Sequence, residues 1–441
     1  MSQQPSSSSA GGLRIAPFTF EVTPPLGHSC CGGFVKSVEV IDDALEAVGV
    51  VLLGAGQPIV LCVVDWTGVL NEAHAVWRMA LAEAAGTTPD RVALHCVHQH
   101  NAPFACFEAE RIVSAHADLP HVVDLEYFHR CVARSRAAIA QALPRARTVT
   151  HVGSGQGRVE GVASNRRVYR DATGQVLVMR GSACRDPRLI DLPEGTIDPF
   201  CKTVVFFDGA RKVAALHYYT THPMSYYGDG RVTSDFAGLA RKRRQQEEPD
   251  CLHLYFTGCA GNIAAGKYND AAPERRPILT QRIYDAMVAG ETALTRVPVP
   301  ALEWKTTNVL PHARPSLNAA ALAQMVATKT HSVLDRNRAA FWLAWLHRLE
   351  QRMPITISAL HLGDVKLLHL PGEPFIEFQL RAQQMQPDDF VCTAAYGDGG
   401  PWYVPVKEEW PHGGYEVSAA LCDPSFDDQL TAAMRQVLSD K

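Results

Sequence analysis

Apolar residues recur along this chain in two rhythms. Short β-branched runs, closed off by glycine, proline or aspartate, predict strands at 18–23, 48–53, 59–64, 92–97, 148–152, 202–207, 213–219, 252–256, 355–362, 365–370 and 390–396. Three neighbouring pairs read as hairpins: 48–53 with 59–64, 202–207 with 213–219, and 355–362 with 365–370. Helical spacing predicts helices at 73–85 (stopped by Gly86), 125–143 (stopped by Pro144), 277–294 and 427–437, and two more within 317–351. A glycine-rich loop is expected after 152. The alternation implies an α/β fold with mixed β-sheets and flanking helices.

No internal repeat and no linker stands out. Residues 13–441 are therefore expected to form a single domain, with a helical insertion at about 317–352. Residues 1–12, MSQQPSSSSAGG, have the polar, low-complexity character of a disordered tail.

Composition adds exclusions. A formal charge of −4 gives no reason to expect a nucleic-acid partner. The basic run Arg241-Lys242-Arg243-Arg244 is followed by Glu247 and Glu248 and reads as a solvated helix end. No apolar stretch is long enough for a transmembrane segment, and no signal peptide is evident. The twelve cysteines form no C-x-x-C and read as reduced, mostly buried thiols, which makes the cytoplasm the expected compartment.

The chemistry gathers where strands end. The run at 92–97 opens into His98-Gln99-His100-Asn101-Ala102-Pro103. Imidazoles two residues apart at a strand end point to one side, and imidazole is the commonest metal ligand. Two solvated or core histidines are the plain alternative. Other strands end at His222, Asn262 and Glu373, and Trp402-Tyr403-Val404-Pro405 follows a glycine-rich turn. Two histidines and a carboxylate are a common zinc-binding set that leaves a position open for water. Taken singly, His222 could equally cap a strand, Glu373 sit in an exposed turn, and Tyr403 pack at a core edge.

Six motifs in order resemble the catalytic domain of the neutral ceramidase family, including its bacterial relatives. Phe20-Glu21-Val22-Thr23-Pro24-Pro25-Leu26-Gly27 is similar to D-I-T-P-P-x-G, and His98-Gln99-His100-Asn101-Ala102-Pro103 to T-H-T-H-S-G-P. Asn165-Arg166 resembles N-R of a substrate-side loop. His222-Pro223-Met224-Ser225 with Ser234-Asp235 resembles H-x-T-S…S-G-D, and Pro371-Gly372-Glu373 resembles P-G-E. Tyr403 to Glu409 with Tyr415-Glu416 resembles Y-x-T-T-x-E-E…Y-E. The resemblance implies one Zn2+ per chain, held by His98, His222, Glu373 and Tyr403. It places His100 beside the metal, as a proton shuttle or as a residue supporting the ligands, and Arg166 and Tyr415 against the substrate or the reacting oxygen. It also implies a small-molecule or lipid-like amide substrate.

Two departures matter. Gly261-Asn262-Ile263-Ala264-Ala265-Gly266 stands where the family has G-D-V-S-P-N, so Ala264 replaces a serine that works at the zinc. No immunoglobulin-like C-terminal domain and no signal peptide, as secreted members carry, are expected here. Ser225 and Ser234 lie near the motifs, but serines in such places are usually structural. The apolar stretch at Trp342, Trp345 and Leu349 is more simply core packing than a lipid pocket. The expectation is a zinc-dependent hydrolase that cleaves an amide (N-acyl) bond by metal-activated water. A ceramidase working without the serine and a catalytically inactive metal-binding protein are the rivals.

Overall fold

The computed structural model describes residues 12–54 and 56–439. All but Gly12 of the expected N-terminal tail lies outside the described residues. What the sequence conceals, the backbone displays: one unit of structure is built three times.

In the first unit, β1 (Arg14–Glu21), β2 (Glu46–Leu53) and β3 (Ile59–Val64) form an antiparallel meander. Helix α1 (Asn71–Ala85) crosses over to β4 (Val92–Cys96), which pairs parallel to β3. Helix α2 (Leu125–Ala142) then returns across α1 and β1. A short strand, β5 (Arg147–Thr148), completes the sheet order β4-β3-β2-β1-β5.

The second unit repeats the plan. Strands β6 (His151–Arg158), β7 (Phe200–Asp208) and β8 (Arg211–Tyr219) form the meander. Helix α3 (Asp235–Glu247) crosses to β9 (Leu252–Thr257), again parallel, and α4 (Arg275–Thr292) returns over β6, β7 and α3. The short strand β10 (Thr295–Pro298) edges the sheet.

The third unit has β11 (Leu302–Val309), then α5 (Ala319–Ala327) and α6 (Val333–Glu350) inside its first connection. Strands β12 (Ile355–Leu362) and β13 (Val365–His369) follow, then the crossover α7 (Ile376–Met385), the parallel strand β14 (Phe390–Ala394) and the returning helix α8 (Ser425–Leu438). The expected helical insertion is thus an elaborated version of a connection that is long in all three units.

The three parallel edge strands meet at their C-terminal ends. Cys96 N donates to Tyr396 O at 2.8 Å, Ala395 N donates to Thr257 O at 2.8 Å, and Thr257 Oγ1 donates to Val97 O at 2.7 Å. This junction brings the three sets of strand-end loops together. It sits on a core in which Val50, Leu61, Leu216, Leu254, Leu360 and Leu367 are completely buried. Each such side chain stabilises the fold by roughly 1.5–3 kcal/mol relative to an exposed one.

Two expectations need correction. The glycine-rich segment after 152 is not a loop but the continuation of β6. Its glycines exist to let α4 approach: a Cβ on Gly157 would lie 2.1 Å from Ala286 O, and one on Gly155 would lie 2.4 Å from Gly290 O. The basic run is not solvated. Arg241 is buried and paired with Glu46 at 2.8 Å and Asp65 at 3.3 Å, and Arg244 is buried against Glu291. Lys242 meets Asp43, leaving Arg243 as the outward member. Trp345 is a core residue, and Trp342 packs edge-on to Trp402. All twelve cysteines are free thiols, and no described helix is long and apolar enough to cross a membrane.

Candidate metal centre

The strand-end junction carries His98, His222 and Glu373, one from each unit. His222 Nε2 lies 3.1 Å from Glu373 Oε2, and His98 Nε2 lies 3.2 Å from the same oxygen. Their ligand atoms all fall within 4.8 Å of one another. His222 stands three residues past β8 and Glu373 four past β13, so equivalent loops of the second and third units deliver them.

His98 arrives differently from its sequence reading. It lies beyond the end of β4, in irregular backbone with φ 77°, so strand alternation does not set its direction. The loop still brings its ring against His100, perpendicular at 5.0 Å.

The protonation pattern explains why three such groups would converge. His98 Nδ1 faces Thr67 O at 2.7 Å, and His222 Nδ1 faces Ile263 O at 3.0 Å. A carbonyl can only accept, so each Nδ1 carries a proton, and each ring turns its Nε2 toward Glu373. Two imidazole nitrogens and a carboxylate oxygen therefore point at one place. His98 Nε2 is buried without a hydrogen bond. A divalent cation placed among them could take both Nε2 atoms and the carboxylate oxygen as ligands. The donor set fits zinc, which binds two imidazoles and a carboxylate readily. Burial alone would raise the pKa of Glu373, but the adjoining His98 and His222 hold it below its usual range.

Tyr403 is placed by Glu373 itself. The two are Cα partners in a short parallel ladder, Glu373–Pro374 against Tyr403–Val404, and the Tyr403 ring stacks beside His222 at 6.3 Å. Arg166 Nη1 donates to the Tyr403 hydroxyl at 3.3 Å. Tyr415 stands T-shaped to Tyr403 at 5.5 Å and remains 45% exposed, which puts it at the rim. The Arg166 guanidinium lies under both rings, 6.0 Å from one centroid and 5.7 Å from the other. Glu416, fully buried, holds Arg166 at 3.4 Å and Arg167 at 2.8 Å. Its position follows a motif residue, but its anchoring role has no local sequence signature.

His100 is partly buried, with Nδ1 3.8 Å from Cys31 Sγ and no partner at Nε2. Burial, and then the neighbouring His98 and His222, push its pKa well below the ordinary histidine value. It is neutral at pH 7, with its Nε2 left without a hydrogen-bond partner among the described residues. All seven residues singled out from sequence thus lie around one point.

The serine gap is not filled by a nearby serine. Ala264 pairs with Ser164 on one side and bridges to His222 on the other. Ser164 Oγ donates to Ala264 O, Ser225 Oγ to Asp235, and Ser234 Oγ to Asp43. Asn262, in place of the family aspartate, accepts from Ile376 N and bonds Glu377, securing the start of α7.

A second histidine–carboxylate cluster, His217, His253 and Glu291, has similar spacing but different electrostatics. Lys212 and Arg244 already neutralise Glu291, and His217 and His253 satisfy each other at 3.0 Å. Glu373, by contrast, has only imidazoles as its ion-pair partners. The first cluster is the better placed of the two to hold a cation. Sequence reasoning missed one buried member of the centre, Tyr396, which stacks on His98 at 4.2 Å.

Two solved structures share this architecture. One, described as a ceramidase complexed with C2, gives a TM-score of 0.71 at 15% identity and covers 97% of this chain and 75% of its own. The neutral ceramidase from Pseudomonas aeruginosa gives 0.70 at 16% identity, covering 97% and 74%. The fold is therefore neutral-ceramidase-like. No family model matches the sequence, and no curated protein does.

Proposed function

We propose that this chain is a zinc-dependent hydrolase that cleaves an amide (N-acyl) bond with metal-activated water. The observation that carries the reading is the convergence of His98 Nε2, His222 Nε2 and the Glu373 carboxylate at one buried point, with each Nδ1 held by a carbonyl. Bound zinc would supply Lewis acidity toward the carbonyl and a water made nucleophilic near neutral pH.

The chain's own groups divide the remaining work. His98, His222, Glu373 and Tyr403 hold the ion. His100 Nε2, unpartnered and neutral, takes the proton released as water attacks and passes it to the departing amine. Arg166 offers a fixed positive charge to the oxyanion, and Tyr415 at the rim meets the substrate as it enters. Ala264 removes any serine-assisted route at that position.

Ceramide is the second reading, favoured by the likeness to two ceramidase structures over 97% of the chain. The zinc-loaded protein, assayed on fluorescent ceramide beside short N-acyl amines and N-acyl amino acids, separates the two. Ceramide turnover matching the best substrate would establish ceramidase. Absence of turnover throughout, with zinc bound, would leave an inactive metal-binding protein.

A further inference from the structure

The centre contains a hydroxyl that the family resemblance does not account for. Tyr396 lies two residues past β14, as His98 lies two residues past β4. Both have left-handed backbones, with φ 58° and 77°. Bulky side chains rarely adopt this conformation, and it concentrates at functional sites. Here it is imposed from outside: Tyr396 N donates to Gly372 O at 3.0 Å, and Tyr396 O accepts from Cys96 N at 2.8 Å.

The outcome is a ring held over a metal-ligand candidate. Tyr396 stacks on His98 with 4.2 Å between centroids and 23° between planes, and stands edge-on to His222 at 6.1 Å. Only 3% of the residue is exposed, and its buried hydroxyl has no hydrogen-bond partner. A buried hydroxyl left unpaired is costly, and phenylalanine would keep the stack without that cost. The hydroxyl thus has the properties of a group whose partner arrives with a ligand.

We propose, building on the zinc-hydrolase reading, that Tyr396 is the substrate-side hydrogen-bond donor of this centre. Its hydroxyl meets the carbonyl oxygen of the bound acyl group. It thereby brings from the end of β14 a hydroxyl that Ala264 cannot offer from its own loop.

The test uses acetohydroxamate, a small acyl mimic with a carbonyl oxygen, titrated into the zinc-loaded full chain. Zinc content and melting temperature are measured on the same samples. Tyr396→Phe is expected to keep both at the wild-type level while weakening hydroxamate binding about tenfold. Tyr403→Phe, as a comparison, is expected to lose zinc affinity instead. Unchanged hydroxamate affinity in Tyr396→Phe overturns the proposal, because the ring then only packs. Zinc loss in Tyr396→Phe also overturns it, because Tyr396 is then a metal ligand. A wild-type protein that takes up no zinc removes the hydrolase reading, and the role of Tyr396 with it. That result is distinct from the other two.

Discussion

Glu373 and Tyr403 face each other as Cα partners across a parallel ladder only two residues long on each side. The ladder fixes a carboxylate and a phenol on one side of the junction, with the Tyr403 ring alongside His222. Tyr403→Phe should keep the ladder and the fold but remove one ligand atom. We expect zinc affinity to fall while Tm of the metal-free protein changes little. Competition with a chromogenic chelator measures this, and an unchanged affinity would exclude Tyr403 from the ligand set.

Metal content should be one zinc per chain. Glu373→Gln and His222→Ala should abolish stoichiometric loading. His217→Gln in the second cluster should leave it intact, because Lys212 and Arg244 already balance Glu291 there. Elemental analysis after dialysis decides between the two clusters. Two zinc ions per wild-type chain would show that the charge argument fails.

Stability should fall as pH drops from about 6.5 to about 5. Burial pushes the pKa of His74 down to about 4 and that of His95 down to about 3. Below the ordinary histidine pKa the unfolded chain binds protons at both positions while the folded chain does not. Stability is therefore lost toward acid, at up to ~1.4 kcal/mol per pH unit for each histidine. Urea midpoints across this window measure the slope, and His74→Gln should make it shallower by about one proton. A flat profile would contradict the assignment.

Arg241→Met should destabilise the fold by ~3–5 kcal/mol, since it leaves buried Asp65 without its counter-ion. Arg243→Ala, two residues along the same helix, should stay within about 0.5 kcal/mol. Chemical denaturation of the two variants tests whether the basic run is structural.

Gly157→Ala should cost ~1–3 kcal/mol through overpacking against the backbone of α4. The added methyl would meet Ala286 O at 2.1 Å, and backbone cannot turn aside as a side chain can. A neutral substitution would mean that α4 shifts freely on its sheet.

Most elements could be read from the chain because burial leaves a local imprint. The hairpins at 48–64, 202–219 and 355–370 are runs of apolar residues between turns, and the structure forms each of them. The glycines of β6 misled because their purpose is packing against a helix more than a hundred residues away. Arg241 and Arg244 misled because their partners, Asp65 and Glu291, lie 176 and 47 residues away in the chain. The repeat was invisible because pairing geometry, not residue identity, is what the three units share. For the site, order of motifs was legible, so His98, His222, Glu373 and Tyr403 could be named. Tyr396 could not: an aromatic ending an apolar strand looks like core until the fold stacks it on His98.

If an ion sits where His98, His222 and Glu373 meet, residues from all three units hold it and the centre becomes a clasp. His222 and Glu373 alone are 151 residues apart in the chain. An ion that binds only where the folded chain has brought such positions together stabilises the folded state by mass action. Opening any one unit would release the ion, so the occupied clasp should make the units unfold together. Hydrogen exchange of β4, β9 and β14 should then slow in concert when zinc is added. Without the ion, the three strands are free to differ.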